Sequence, residues 1–178
     1  MYYFRGKFPA SFFEKVQEIS KNFYFCKSKH AFIPKTSYKM PKKDSFHDIV
    51  TTALIKDNWH IAHDPLFVPT ESGTNFFIDL GIQPIIGVEK EGLNVAIEVK
   101  SFNENTPFYG FYEMLGQFLV YQAALKEQAI AWELYIGLPV SGFDKLDSTP
   151  IFNQVIQQFG LKFITFDPVL KIIVQWKK

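Results

Sequence analysis

Between positions 93 and 100 the residues Val95, Ile97 and Val99 alternate with Asn94, Ala96, Glu98 and Lys100, and no other stretch limits the fold more tightly. A period of two belongs to a β-strand, whose successive side chains point to opposite faces. Glu98 and Lys100 therefore emerge together on one side while Ile97 and Val99 are buried on the other. Roughly residues 108–127 then form the longest helix candidate, its apolar side marked by Phe111, Leu115, Phe118, Leu119 and Leu125. Residues 132–139 read as a strand of the buried type. This order of elements implies an α/β chain with a central sheet flanked by helices.

Upstream, Phe46, Ile49, Val50, Ala53 and Leu54 share one face of a helix expected over 45–57, with Asp44 available as its N-cap. Residues 59–63 read as a short strand ended by Asp64-Pro65, and 70–75 as a loop. Residues 77–88 read as an extended region with a bend or bulge suggested by Gly81 and Pro84, and Lys90-Glu91-Gly92 as the turn before a hairpin. Downstream, 150–158 suggests a helix stopped by Gly160, and 161–166 and 171–176 two final strands. The orderly pattern begins at Met40. Residues 1–39 are crowded with Phe, Tyr and Lys and carry one helix signal: Ser11 with Glu14 forms a capping box, and Phe12, Phe13, Val16, Ile19 and Phe23 follow helical spacing. Two readings of this segment stand side by side. It is either a poorly ordered N-terminal extension to a domain spanning 40–178, or upstream sequence absent from a native protein that starts at Met40.

Charge divides at the same place. Residues 1–39 carry eight Lys and Arg against two Glu, a net of +6, and the remainder eleven against sixteen acidic residues, a net of −5. A body of that sign repels a polyanion unless a metal ion, a local basic groove or a partner compensates. No uncharged stretch reaches the ~18 residues of a membrane-spanning helix. Arg5, Lys7 and Pro9 interrupt any secretory signal, so a cytoplasmic location is expected. A single cysteine, Cys26, excludes an internal disulfide framework and a cysteine-built zinc site.

Chemistry converges on Asp79, Glu98 and Lys100. If the hairpin pairs as expected, Asp79 stands beside Glu98, with the Val99 carbonyl between them. Two carboxylates and a carbonyl are the hard oxygen ligands that Mg²⁺ or Mn²⁺ takes. Such an ion polarises a phosphate and acidifies a water, while Lys100 neutralises charge developing on the phosphate. Gln117 and Tyr121 lie four apart on one face of the following helix, and Glu113 extends the line. His47 sits on the first helix as a ligand or donor, although a lone helix histidine is more often structural. An isolated Glu-x-Lys on a strand edge is by itself most often a solubility device.

The order of helix, strand ending in Asp79, strand ending in Glu98-Val99-Lys100 and long helix resembles the PD-(D/E)xK restriction-endonuclease-like core. Gln117-x-x-x-Tyr121 is similar to the motif of RecB-type nucleases, whose pair faces the active site. A more specific likeness runs from Met40 to the end. Lys43-Asp44-Ser45-Phe46-His47, Ala53 to Trp59, His63-Asp64-Pro65-Leu66, Ile78-Asp79-Leu80-Gly81, Val95 to Phe102, Gly116-Gln117, Tyr121 and Ile173-Val174-Gln175-Trp176 resemble XisH proteins, the excision controlling factors of the fdxN element. Asn58 stands where Gly is usual, and members begin near Met40-Pro41, which favours the late start. The resemblance implies an endonuclease-like fold and a role in programmed excision of a DNA element beside a site-specific recombinase and a companion, XisI. Two classes of function follow. One is a Mg²⁺-dependent endonuclease in which Asp79, Glu98 and Val99 hold metal, Lys100 stabilises charge, and Gln117, Tyr121 and His47 support substrate. The other is a catalytically inactive regulatory module that docks XisI or the recombinase.

Overall fold

The computed structural model describes residues 23–25, 32–34, 43–85, 93–101, 107–129 and 131–178. The chain divides into two compact units, Met1–Met40 and Pro41–Lys178. In the first, strands β1 (Phe23–Phe25) and β2 (Phe32–Pro34) pair antiparallel. The helix expected after Ser11 lies outside the described residues except for its last position, Phe23, which opens β1 instead.

The second unit begins with helix α1 (His47–Lys56), strand β3 (Trp59–His63) and a hairpin of β4 (Leu66–Pro69) and β5 (Asn75–Ile78). Strands β6 (Leu80–Pro84) and β7 (Val95–Val99) follow, then the twenty-residue helix α2 (Pro107–Lys126) and strand β8 (Glu133–Pro139). Helices α3 (Val140–Asp147) and α4 (Pro150–Phe159) lead into β9 (Phe163–Asp167) and β10 (Ile172–Lys177). Six strands form one sheet in the order β10-β9-β8-β7-β6-β3. The two central pairings, β7 with β8 and β8 with β9, are parallel, and the outer ones are antiparallel. A parallel β7–β8 pair requires a crossover connection, and α2 supplies it. The fold is therefore α/β with a mixed sheet flanked by helices.

Each face of that sheet carries its own core. Val50 and Leu54 of α1 pack with Trp59, Leu80, Ile82, Ile97 and Tyr135 on one face. On the other, Phe111, Met114 and Phe118 of α2 pack with Ala96, Ile136 and Leu138, and the β4–β5 hairpin, α3 and α4 complete the layer. Because both faces are covered, every residue of β7 is buried, Glu98 included. Burying a Phe or Leu side chain contributes about 1.5–3 kcal/mol, so α2 is fixed firmly over β7. Among the described residues no helix is long and apolar enough to cross a membrane.

The helix expected over 108–127 and the strand expected over 132–139 match α2 and β8 to within a residue. Gly160 ends α4 in the left-handed conformation, φ 62°, as its position after the last apolar residue implied. Three features differ from expectation. Of the bend or bulge expected at Gly81 and Pro84, the bend falls at Asp79, where the chain leaves the β4–β5 hairpin and enters the main sheet, while the pairing with β3 is irregular beside Gly81, between Ile61 and His63. Gly81 continues β6, and its missing Cβ serves close packing, since a Cβ there would come within 3.2 Å of His63 and Trp132. Residues 66–69 form a strand although Pro65 precedes them and Pro69 is the last of them, and α3 forms although Ser141 and Gly142 weaken its helix signal. The turn expected at Lys90-Glu91-Gly92 lies outside the described residues.

Candidate carboxylate site

β6 and β7 run antiparallel with Leu80 opposite Ile97, and one further step of that register sets Asp79 against Glu98. The Lys100 amide donates to the Gly137 carbonyl of β8 at 2.9 Å. Peptide groups alternate in direction along a strand, so those of Val99 turn the other way, toward Asp79. The Val99 amide donates to Asp79 Oδ2 at 2.8 Å, which leaves the Val99 carbonyl on the side of the two carboxylates. Glu98 and Lys100, two apart, share the α2 face of the sheet, and Lys100 Nζ lies 3.0 Å from Glu98 Oε1. The second oxygen, Glu98 Oε2, is buried and has no hydrogen-bond partner.

A cavity of about 230 Å³ opens at this point, with Asp79, Glu98, Val99 and Lys100 on its sheet wall and Glu113, Gln117 and Tyr121 on its helix wall. The latter three are spaced four apart and so face it from successive turns of α2. Gln117 Oε1 is buried there without a partner, and the Tyr121 ring is held edge-on by Phe76 at 5.8 Å. Thus the three side chains singled out on the strands and the Gln-Tyr pair singled out on the helix meet in one cavity.

Electrostatics at the site follow from burial. Glu98 is pushed up to about 7, first by removal from water and then by the neighbouring Asp79 charge, against the pull of Lys100. Asp79 is also raised by burial, opposed by the hydrogen bond from the Val99 amide and by electrostatic attraction toward His47 and Lys100. The Tyr121 phenol is raised by burial and then by both carboxylates. Two acids forced close together in a poorly hydrated recess form a region of strongly negative potential once ionised.

His47 does not join the cavity wall. It opens α1, is 2% exposed, and its Nε2 lies 3.0 Å from Lys43 Nζ and 3.1 Å from the Asp64 carboxylate. Hydrogen bonds from His47 and Lys43 hold Asp64 below the usual carboxylate range despite its partial burial, which acts the other way. Asp64 both ends β3 and anchors this cluster. Asp44 is the residue whose placement the sequence did not reveal. It is not the N-cap, a position occupied by Phe46 without a side-chain bond. One of its oxygens accepts the Phe46 amide at 2.9 Å, and the other accepts the Ser101 amide and hydroxyl, both at 2.8 Å. Asp44 also lines the carboxylate cavity. A larger cavity of about 360 Å³ lies between the far end of α2 and β8, where Glu133 is paired with Lys162 at 3.3 Å.

Comparison with known proteins gives a consistent assignment. The XisH protein family model matches residues 40–174. An XisH family protein of known structure from Nostoc punctiforme PCC 73102 is 30% identical, with a TM-score of 0.67, over 76% of this chain and 100% of that one. An fdxN element excision controlling factor protein from Anabaena variabilis gives the same values: 30% identity, TM-score 0.67, 76% and 100% coverage. No curated protein matches at a significant level. With most of the second unit's length matched by the family model and two structures sharing its fold, the chain belongs to the XisH family.

Proposed function

We propose that this protein serves programmed excision of a DNA element and does so through a PD-(D/E)xK endonuclease-like site that hydrolyses phosphodiester bonds. Supporting the fold reading is the layout of α1, the β3-β6-β7 antiparallel run, the α2 crossover and the parallel strand β8. The role in excision follows the name of the Anabaena variabilis protein, and the resemblance adds a site-specific recombinase and an XisI-like protein as partners. The observation that carries the chemistry is the buried, unpartnered Glu98 Oε2 beside Asp79, in a cavity that Lys100 also enters.

These residues fit a divalent hard cation. Asp79, Glu98 and the Val99 carbonyl present oxygen donors only, and a cation among them would offset both the loss of water and the Asp79 charge that raise Glu98. The set is small: among the described residues no group of three or more His, Asp or Glu side chains is gathered as a metal cluster. Water would complete the coordination, as is usual for Mg²⁺. Bound there, Mg²⁺ or Mn²⁺ supplies Lewis-acid activation of phosphate and water. Lys100 orients against Glu98 and places a positive charge where phosphate oxygens gain negative charge. Gln117 and Tyr121 offer hydrogen-bonding groups from the opposite wall. Cleavage of plasmid DNA with Mg²⁺ or Mn²⁺ tests this: wild type is expected to nick or cut, and Glu98→Ala to lose at least about a hundredfold in rate. Equal activity in the two proteins removes Glu98 from the chemistry.

The net charge of −5 on residues 40–178 supports a second reading, in which the same fold docks an XisI-like protein or the recombinase and cuts nothing. Calorimetric Mn²⁺ titration separates the two. Binding lost in Asp79→Ala supports the metal site, whereas no Mn²⁺ binding by wild type together with a stable XisI complex supports docking.

A further inference from the structure

The six-stranded sheet ends on β3 at one side and on β10 at the other, and the two edges differ in kind. On β3 the buried side chain is Trp59, the exposed one is His60, and no large apolar side chain is exposed. At the other edge four large apolar side chains are exposed within six positions: Val169, Leu170, Ile172 and Val174, at 84%, 59%, 40% and 53%. The first two lie in the turn that leads from β9 into β10, and the last two on β10 itself. Ile173 and Trp176 pack into the α1-face core, so Ile172 and Val174 on either side of Ile173 turn to the opposite face. No strand among the described residues pairs with the outer edge of β10. Alternate peptide groups of an edge strand face away from its sheet with N–H and C=O free, and an apolar edge of this sort is a template for another strand.

Charge selects which strand. Lysines stand at both ends of β10, Lys171 just before it and Lys177 and Lys178 at its close. Lys177 is engaged, its Nζ 4.0 Å from Asp147 and 4.0 Å from the centre of the Phe143 ring. Lys178 lies 4.0 Å from Glu133, a carboxylate that already holds Lys162 at 3.3 Å. Lys171 is exposed and makes no ion pair among the described residues. At its end of the strand Lys56 Nζ donates to the Leu170 carbonyl at 3.0 Å, and the Asp167 carboxylate is turned to the Val169 and Leu170 amides at 2.8 and 2.9 Å. A second copy of the chain pairing β10 with β10 along its length would set Lys171 against Lys177 or Lys178 if antiparallel, and each lysine against itself if parallel. Like charges directly opposite one another are destabilising, whereas a strand with carboxylates at both ends is attracted. We infer that the open edge of β10 takes up one extended segment of a protein partner, apolar at the alternate positions beside Ile172 and Val174 and acidic at both ends. Main-chain hydrogen bonds to the edge supply the affinity, and the apolar contacts and terminal charges supply the choice of segment. This holds whether or not the carboxylate cavity cleaves DNA.

Fluorescence anisotropy of a labelled peptide, acetyl-Glu-Val-Thr-Val-Thr-Val-Glu-amide, titrated with the full 178-residue chain, reads the binding directly. Saturable binding is expected, and amide hydrogen exchange of residues 172–177 should slow when the peptide is bound. The same peptide with lysine in place of both glutamates should bind at least about tenfold more weakly. Replacing its central Val-Thr pair by Pro-Pro removes two N–H donors and should abolish binding. Val174→Glu and Lys171→Glu should each weaken the acidic peptide about threefold or more, and Lys171→Glu should tighten the lysine-ended one. Both positions are exposed, and unchanged circular dichroism and thermal unfolding confirm that the variants fold. Absence of binding at the highest soluble protein concentration, equal binding of the acidic and lysine-ended peptides, or binding that leaves the exchange of residues 172–177 unchanged overturns the proposal. Self-association of the chain that Val174→Glu abolishes, read by sedimentation equilibrium, overturns it in favour of a second copy.

Discussion

An ionised carboxylate at Glu98 is costly in this fold, because the side chain lies between β7 and α2 with one oxygen unpartnered and Asp79 alongside. Its ordinary value is 4.5 and its folded value about 7, so in that window the native state binds more protons than the unfolded chain. Stability therefore falls as pH rises from about 4.5 to about 7, and this contribution is constant above it. Glu98→Gln removes the ionisation while keeping the shape. Urea unfolding at pH 5 and pH 8 should show the balance between variant and wild type shifting in favour of the variant by roughly 2–3 kcal/mol at the higher pH. An unchanged difference would mean that Glu98 ionises freely. Glu98 and Lys100 were legible at this scale because strand alternation is a local rule that needs two residues of context. Asp44 was not legible, since its use depends on Ser101, distant in sequence and adjacent only after folding.

Among the elements, the entry to α1 is held to the end of β7 by that one aspartate. Asp44→Ala strips the Phe46 amide and the Ser101 amide and hydroxyl of their acceptor. It should destabilise the protein by about 1–3 kcal/mol in denaturant unfolding, and Ser101→Ala, which keeps the backbone bond, by less. If the two variants lose equal stability, the side-chain clasp is not what fixes this junction. Two elements with a strong local signal, the helical period of α2 and the apolar run of β8, could be read directly. The β4–β5 hairpin and α3 could not. Three residues between Pro65 and Pro69 carry too little pattern to outweigh their punctuation, and eight residues containing Ser141 and Gly142 form a helix because Phe143 and Leu146 are buried against the sheet.

For the second unit as a whole, two cores share one sheet, so neither can be lost without exposing the back of the other. All three tryptophans, Trp59, Trp132 and Trp176, lie in this unit, two on the α1 face and one on the α2 face. Leu54→Ala and Phe118→Ala, one on each face, should each cost about 2–5 kcal/mol. Both should shift a single transition seen alike by tryptophan fluorescence and far-ultraviolet circular dichroism. Separate transitions for the two would show that the layers unfold independently. The sequence alone determined the α/β class, the longest helix and the longest strand of the described residues, and the strand and helix that carry Glu98, Lys100, Gln117 and Tyr121, because periodicity and residue chemistry are properties of neighbours along the chain. Tertiary structure alone decided that Asp79 sits at the bend between two sheets, that His47 turns to Asp64 and Lys43 outside the cavity wall, and that Asp44 reaches Ser101. Those outcomes depend on strand register and on which layers meet, quantities set by packing the whole unit and not by any local run of residues.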